Sequence, residues 1–329
     1  MKIKHREILP TATNSVHAST IAFFRNKPVI AWFGGNREGL PDSSIYIQKG
    51  NQIAVIGGNI QVPFWNPILF PHQNKLFIFT KKGEFCDRWQ TEIFDISNIK
   101  NIHKVCDLPA GCNGPVKTKP CVHNGSIYCG SSVETRWDWS SYIEEYKIVD
   151  DFFKCVYRTA PLTVPKVKYD AYVYGAKVSR STVGIIQPSI WVDREGKMHA
   201  FCRSSKGLGR IYHTYGWAGV LDEVSATVWS DPEPTELENP NSSVDTVYFN
   251  RRLFLVYNPS SEYRMPLVVV ELNDQFEIMD HVVIREEVDE EIGFNTQELS
   301  YPYMIEHDGE LHLTYTHGRK KIEYVIIEV

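Results

Sequence analysis

One short segment of this chain gathers groups able to move protons or hold ions. Gly34-Gly35-Asn36-Arg37-Glu38-Gly39-Leu40-Pro41-Asp42 follows the apolar run VIAWF and precedes the alternating run SIYIQ. A glycine-rich turn at a strand end holds Arg37 and Asp42 clear of the sheet, where a carboxyl can exchange a proton and a guanidinium can bind an anion. The same composition also suits a plain surface turn closed by a local ion pair. Other polar residues stand at or near the ends of apolar runs: Trp65-Asn66, Lys117, Lys119, Glu134, Asn239, Asn241, Asp245 and Asn258. Each is a candidate for lining a site, and equally for closing a turn or snorkelling along the surface.

The elements that must position these residues follow one cadence, repeated six times. An apolar strand leads to a polar turn holding Gly or Asn, and a second, more aromatic strand follows. The lines are STIAFFRNKPVIAWF, NPILFPHQNKLFIFT, KPCVHNGSIYCGSS, QPSIWVDREGKMHAFCR, VDTVYFNRRLFLVYN and YPYMIEHDGELHLTYTH. Such a period is that of a blade array, and predicts an all-β, six-bladed β-propeller. A propeller places its ligand site on the central axis, so residues far apart in sequence converge there. Helical periodicity is poor, and Pro and Gly recur too often for long helices. The stretch 151–183 is the longest spacer, read as an outer strand plus a loop. Both ends of the chain, MKIKHREIL and KKIEYVIIEV, have edge-strand patterns. An open ring would leave such edges unpaired, so the N-terminal strand is expected to complete the blade formed by the C-terminal residues. With no low-complexity linker, residues 1–329 are expected to form a single domain.

Bulk properties narrow the function. A net charge of −5 argues against a general nucleic-acid binder, which needs a basic face. Seven cysteines show no CxxC pair and no regular spacing with His, which suits reduced thiols and no metal site. The N-terminus MKIKHREILPTA carries no apolar signal core, and no apolar run approaches a membrane span. A cytoplasmic or peripheral location is the expectation, with recruitment by a membrane protein if the chain works at a membrane.

The segment VHASTIAFF...VIAWFGGNREGLPDSSIYIQ resembles the first blade of the sialidase-like superfamily, six-bladed propellers with BNR (Asp-box) repeats. WNPILF, GPVKTKP, GSSVE, IQPSIW, FCRSS, NPNSSVD, LVYN and LSYPYMIEHDGELHLTYTHGR are similar to the same group, in family order across essentially the whole chain. The resemblance implies that Asp42, five residues after Arg37, is the general acid/base, held protonated by its surroundings, with Arg37 on a sugar hydroxyl or carboxylate. It implies a carboxylate clamp of three arginines from separate blades, a use that suits the planar guanidinium fork. Arg203 matches the second, with Arg210 a neighbouring candidate, and Arg264 the third. It implies a Tyr nucleophile, which a carboxylate-bearing substrate does not repel. Tyr301 matches it, Tyr303 being the alternative that packs into the blade, and Glu298 just upstream acts as base or faces solvent.

The departures from the family pattern bear on specificity. The first clamp arginine is absent and His17 stands in its place. The Glu expected upstream of the second arginine is Gln187, which cannot act as a base, so tyrosine activation falls to Glu134 or Glu298. The Asp-boxes are eroded, ELNDQFEI and HTYGWAG surviving only as turns. The expected function is an exo-acting glycoside hydrolase without metal or organic cofactor. Its substrate would be a glycan or glycolipid ending in an acidic sugar, a sialic acid or a related 2-keto-3-deoxy ulosonic acid such as Kdo. Asn241 and Asp245 would help line that site. Two other readings stay open: a non-catalytic carbohydrate- or protein-binding propeller, and a polysaccharide lyase using Tyr and His on uronic acids.

Overall fold

The computed structural model describes residues 1–58, 62–150, 152–221, 224–289 and 296–329. Six antiparallel sheets follow one another along the chain. Their innermost strands are Ser15–Phe24, Phe64–His72, Cys121–His123, Ile185–Val192, Asp245–Phe249 and Leu299–His307. Each opens its sheet and abuts the neighbouring blades around the axis. Among the described residues, helix is confined to short 3-10 turns such as Cys86–Arg88.

Most inner strands are rich in apolar and small residues because they are covered on both faces, the short Cys121–His123 with its exposed Val122 being the exception. Ser15–Phe24 and Ile185–Val192 are buried along nearly their whole lengths. The core lies between blades. Phe33, Ile45, Leu69 and Ile78 fill the seam of blades 1 and 2, and Leu267, Val269, Leu311 and Leu313 that of blades 5 and 6.

The ring closes as the edge-strand patterns predict. Lys2–Ile8 pairs antiparallel with Lys321–Glu328, from Lys2 opposite Glu328 to Ile8 opposite Glu323, and so becomes the outermost strand of blade 6. Leu9, immediately after it, is buried beside Ile322 and donates its N–H to the Ile322 carbonyl at 2.9 Å. Closure satisfies the edge of the C-terminal strand and makes the last blade a composite of both chain ends.

One backbone device recurs at the same end of four inner strands. The ladder gains an extra residue between His17 and Thr20, Trp65 and Ile68, Ile186 and Ser189, and Ser300 and Tyr303. Within each bulge one non-glycine residue adopts positive φ: Ala18 (51°), Asn66 (36°), Gln187 (57°) and Tyr301 (52°). Three of the four precede a proline, which has no N–H to give to the ladder. Bulges re-aim side chains, and non-glycine residues at positive φ persist where the surroundings over-determine them, commonly at functional sites.

The spacer 151–183 is more ordered than a loop. Phe152–Arg158 is the outer strand of blade 3, and Lys168–Val173 with Ala176–Ser181 forms a separate two-stranded hairpin. Of the eroded Asp-boxes, ELNDQFEI does make a turn: Asn273 Oδ1 accepts from the N–H groups of Gln275 (3.0 Å) and Glu277 (2.9 Å). HTYGWAG instead lies inside the strand Arg210–Leu221, because its alternating aromatics suit a sheet surface.

Candidate functional site

The bulges of blades 1, 4 and 6 bring His17, Gln187 and Tyr301 together. Tyr301 packs on His17 with ring centroids 4.1 Å apart. Its hydroxyl lies 3.0 Å from Arg203 Nη1 and 3.5 Å from Gln187 Nε2. Arg203, on the second strand of blade 4, is buried and every arm is used. Nε and Nη2 donate to Asn241 Oδ1 at 3.0 and 2.8 Å, and Nη1 also donates to Gln187 Oε1 at 3.1 Å. Asn241 takes positive φ (62°), a conformation Asn tolerates, and presents its carbonyl to Arg264 Nη2 at 2.9 Å.

Arg264 and Glu298 extend this arrangement to the seam of blades 5 and 6. Glu298 lies between two guanidiniums, its Oε2 2.7 Å from Arg264 Nη1 and its Oε1 2.6 Å from Arg319 Nε. Ser300 Oγ donates to the same Oε1 at 3.0 Å. Arg319 also pairs with Glu38, from the glycine-rich loop of blade 1. That loop leans on blade 2: a Cβ at Gly39, where φ is +80°, would lie 3.0 Å from the Trp65 ring. The hairpin tip of blade 6 and the loop of blade 1 thus meet over the centre.

Electrostatics at the centre favour an anion. His17 is fully buried, and its pKa is held well below the ordinary value by desolvation first, then by Arg319, Arg264, Lys117 and Arg203. It is therefore neutral near neutral pH. Its Nδ1 lies 3.1 Å from Thr316 Oγ1 and its Nε2 is buried without a partner. Glu134 is pushed up by burial, offset in part by Arg203 and a hydrogen bond to Gln187. One of its oxygens is likewise buried and unpartnered. Three guanidiniums thus surround a neutral imidazole and a phenol, and only Glu38 and Glu298 pair with them directly among the described residues. Planar donor forks in a site that keeps imidazole neutral suit a carboxylate.

Beneath Tyr301 lies a second layer. Lys117 Nζ donates to the Pro302 carbonyl at 3.2 Å and sits 5.7 and 5.1 Å from the ring centroids of Tyr301 and Tyr303. Asp245 is buried there. It accepts from Lys119 (2.7 Å), Ser189 Oγ (2.8 Å) and the Met304 N–H (2.8 Å), joining blades 4, 5 and 6. Burial lowers Lys117 to about 7, with Asp245 opposing the shift. The unfolded lysine titrates near 10.5, so between these values the unfolded chain holds more protons. Stability therefore rises with pH across this window and is lost as pH falls towards 7. Lys81 is buried and lowered to about 7 in the same way. We expect Lys117→Met to remove one of these two contributions. Denaturant midpoints should show a gain of about 1–2 kcal/mol at pH 7 and a shallower rise towards pH 10. An unchanged slope would mean that Lys117 is solvated in the folded state.

The sequence-derived candidates thus separate. His17, Glu134, Gln187, Arg203, Asn241, Arg264, Glu298 and Tyr301 converge. Asp245 lies in the layer below. Asp42 is exposed, and its Oδ2 accepts from the Asn36 N–H at 2.8 Å, closing its own loop. Arg37 is exposed on that loop. Arg210 turns to Glu236, 3.8 Å from its carboxylate. Arg319, Thr316 and Glu38 were not singled out in the sequence. Arg319 carried a faint signal, since it sits at the tip of the family-like segment ending THGR.

Comparison with known proteins agrees with this architecture. No curated protein sequence matches the chain. A protein of unknown function from Dyadobacter fermentans superposes with a TM-score of 0.71 at 12% identity, covering 100% of this chain and 99% of that one. Trypanosoma rangeli sialidase in complex with the inhibitor DANA superposes with a TM-score of 0.58 at 10% identity, covering 95% of this chain but 55% of that one, so this chain spans about half its length. A neuraminidase-like protein of A/little yellow-shouldered bat gives a TM-score of 0.56 at 7% identity over the whole of both chains. At these identities the likeness is one of fold. The family model for the BNR repeat-like domain matches residues 27–313, and the chain, a closed six-bladed propeller of sialidase-like fold, belongs to that family.

Proposed function

We propose that this protein is an exo-acting glycoside hydrolase of the sialidase type, which removes a terminal acidic sugar from a glycoconjugate. The observation that carries this reading is the Arg203–Tyr301 contact at 3.0 Å, beside Arg264 and Arg319 on their shared Glu298. A sialic acid or another 2-keto-3-deoxy ulosonic acid presents its carboxylate next to the anomeric carbon. Carboxylate binding by the arginines therefore sets that carbon near the phenol oxygen. Arg203, Arg264 and Arg319 hold the carboxylate, with His17 assisting; Arg37, exposed on its loop, is left out of the clamp. Asp42 protonates the leaving glycosidic oxygen, and Tyr301 attacks the anomeric carbon or shields its cationic character. Glu134 and Glu298 are the carboxylates within the cluster available to take the phenol proton. Reaching the leaving oxygen requires Asp42 to release the Asn36 N–H, a rearrangement within a glycine-rich loop.

The proton donor can be tested by leaving group. Asp42→Asn should lower kcat by about 100-fold on a natural glycoside, and by far less on an aryl glycoside whose phenolate leaves without protonation. Glu38→Gln should lower both modestly and equally. The reverse pattern would transfer the acid role to Glu38. Released sugar is to be identified by mass spectrometry across sialosides, Kdo-glycosides and uronate oligosaccharides. Binding without release from any of them would favour a carbohydrate-binding propeller.

A second reading draws on the neutral, unpartnered Nε2 of His17 beside Tyr301. A polysaccharide lyase needs such a base–phenol pair to abstract a proton next to a uronate carboxylate. The same panel separates the two, because only a lyase leaves an unsaturated sugar that absorbs in the ultraviolet.

A further inference from the structure

The hairpin Lys168–Ser181 stands at the same face of the ring as the cluster. Its root is fixed. Thr182 N–H donates to the Val167 carbonyl at 2.9 Å, and the N–H groups of Val183 and Gly184 donate to Ser205 Oγ at 3.1 and 3.3 Å. Three residues beyond Gly184 comes Gln187, which touches Tyr301. One hairpin face rests on blade 4, where Gly207 comes so close to the Tyr169 ring that a Cβ would lie 2.4 Å away. Cross-strand pairing places Tyr172 opposite Lys177 on the other face, with Asp170 bridged to Lys177 at 2.7 Å. At the root, Lys166 Nζ reaches the Trp137 carbonyl at 3.2 Å, and Trp137 lies exposed beneath the Arg136 guanidinium.

Two features of this hairpin point to a ligand outside the chain. Its tip is Tyr174-Gly175, with φ of 49° and 80°. A two-residue turn with both residues left-handed favours Asn-Gly, and a tyrosine there is strained. Tyr174 is 106% exposed and Tyr172 74% exposed, so no internal packing offsets that cost. The hairpin 168–181 also carries Lys168, Lys177 and Arg180 against the single Asp170, a net +2 in a chain of net −5, while Lys166 at its root pairs with Asp138 at 2.9 Å. Exposed aromatic surface with a concentrated charge of one sign marks a binding surface for a ligand of the opposite sign.

We propose that this hairpin binds the sugars that follow the terminal one, and that they are acidic too. The ligand is an anionic oligosaccharide running from the central cluster over blade 4, with Tyr172 and Tyr174 against sugar C–H faces and Lys168 and Lys177, which share the face of Tyr172, near its carboxylates. The assignment of these sugars as the leaving part rests on the hydrolase reading; binding to the hairpin does not.

The test uses the full chain and two variants, Tyr172→Ala/Tyr174→Asn and Lys168→Glu/Lys177→Glu. Binding of a galacturonate hexamer, an α2,8-linked sialic acid hexamer and neutral maltohexaose is measured by calorimetry. At least one acidic hexamer should bind wild type about tenfold or more tighter than maltohexaose, and both variants should lose that preference. Tyr174→Asn restores a favoured turn residue, so thermal stability of the first variant should hold or rise while binding falls. Equal binding of all hexamers, or variants indistinguishable from wild type, would overturn the proposal. A parallel fall in binding and thermal stability would reduce the hairpin to a structural element and overturn it too. With an active enzyme, the variants should lower kcat/KM on an acidic oligosaccharide about tenfold and leave an aryl glycoside of the same terminal sugar unchanged. Hairpin-dependent binding without any sugar release would defeat the hydrolase reading alone.

Discussion

Tyr301→Phe is expected to lower kcat by about 1000-fold or more, with affinity for the acidic sugar kept within about threefold. The variant removes one oxygen and little else. Phenylalanine keeps the ring against His17, whose centroid is 4.1 Å away, and over the Lys117 layer. It inherits the same backbone, so the positive φ of 52° carries no new cost. Arg203 Nη1 loses the phenol as acceptor but keeps Gln187 Oε1 at 3.1 Å, and its other two donors stay on Asn241. The guanidinium of Arg203 therefore keeps its place, while the atom proposed to attack the anomeric carbon is gone. Steady-state kinetics on the released-sugar substrate, with calorimetry on the free sugar, check both halves. A variant within tenfold of wild-type kcat would remove Tyr301 from the chemistry, and a large loss of affinity instead would make it a binding residue.

The residues of this cluster differed in how openly the sequence declared them. Tyr301, Arg203 and Gln187 were marked by the resemblance of LSYPYMI, FCRSS and IQPSIW to the sialidase-like superfamily, and the six-fold cadence accounts for their coming from separate parts of the chain. Arg319 and Glu38 gave no comparable signal. Their side chains meet although 281 positions separate them. An arginine at a hairpin tip and a glutamate in a glycine-rich turn each read as solvated surface. They meet only because the N-terminal strand closes the ring and sets the tip of blade 6 beside the loop of blade 1. The bulges were hidden for another reason. Ala, Gln and Tyr have no preference for positive φ, so tertiary packing imposes it, and the prolines after Gln187 and Tyr301 were the one local trace. Asp42 shows the converse: its place in the motif is plain in the sequence, yet its side chain closes its own loop.

Arg203→Lys is the second large expected effect: affinity for the acidic sugar should fall about 100-fold, equivalent to about 2.7 kcal/mol, with the fold preserved. The substitution keeps the charge. The burial that chiefly holds His17 neutral thus persists, as do the positive surroundings that add to it, with Arg319, Arg264 and Lys117 still in place. What it removes is geometry. Nε and Nη2 grip Asn241 while Nη1 spans Gln187 and Tyr301, so one planar group orients residues of blades 4 and 6 and the segment entering blade 5. An ammonium offers three donors from a single point and cannot reach both sides. Asn241 would lose its anchor, and its carbonyl would no longer be fixed for Arg264, 2.9 Å away. A change at one arginine would thereby loosen a second. Titration of the acidic sugar into Arg203→Lys, alone and combined with Arg264→Lys, tests this coupling. If Arg203 acts only through its charge, the single variant binds like wild type. If it acts through geometry shared with Arg264, the double variant loses less than the sum of the two single losses, because the first substitution has already undone part of what the second removes.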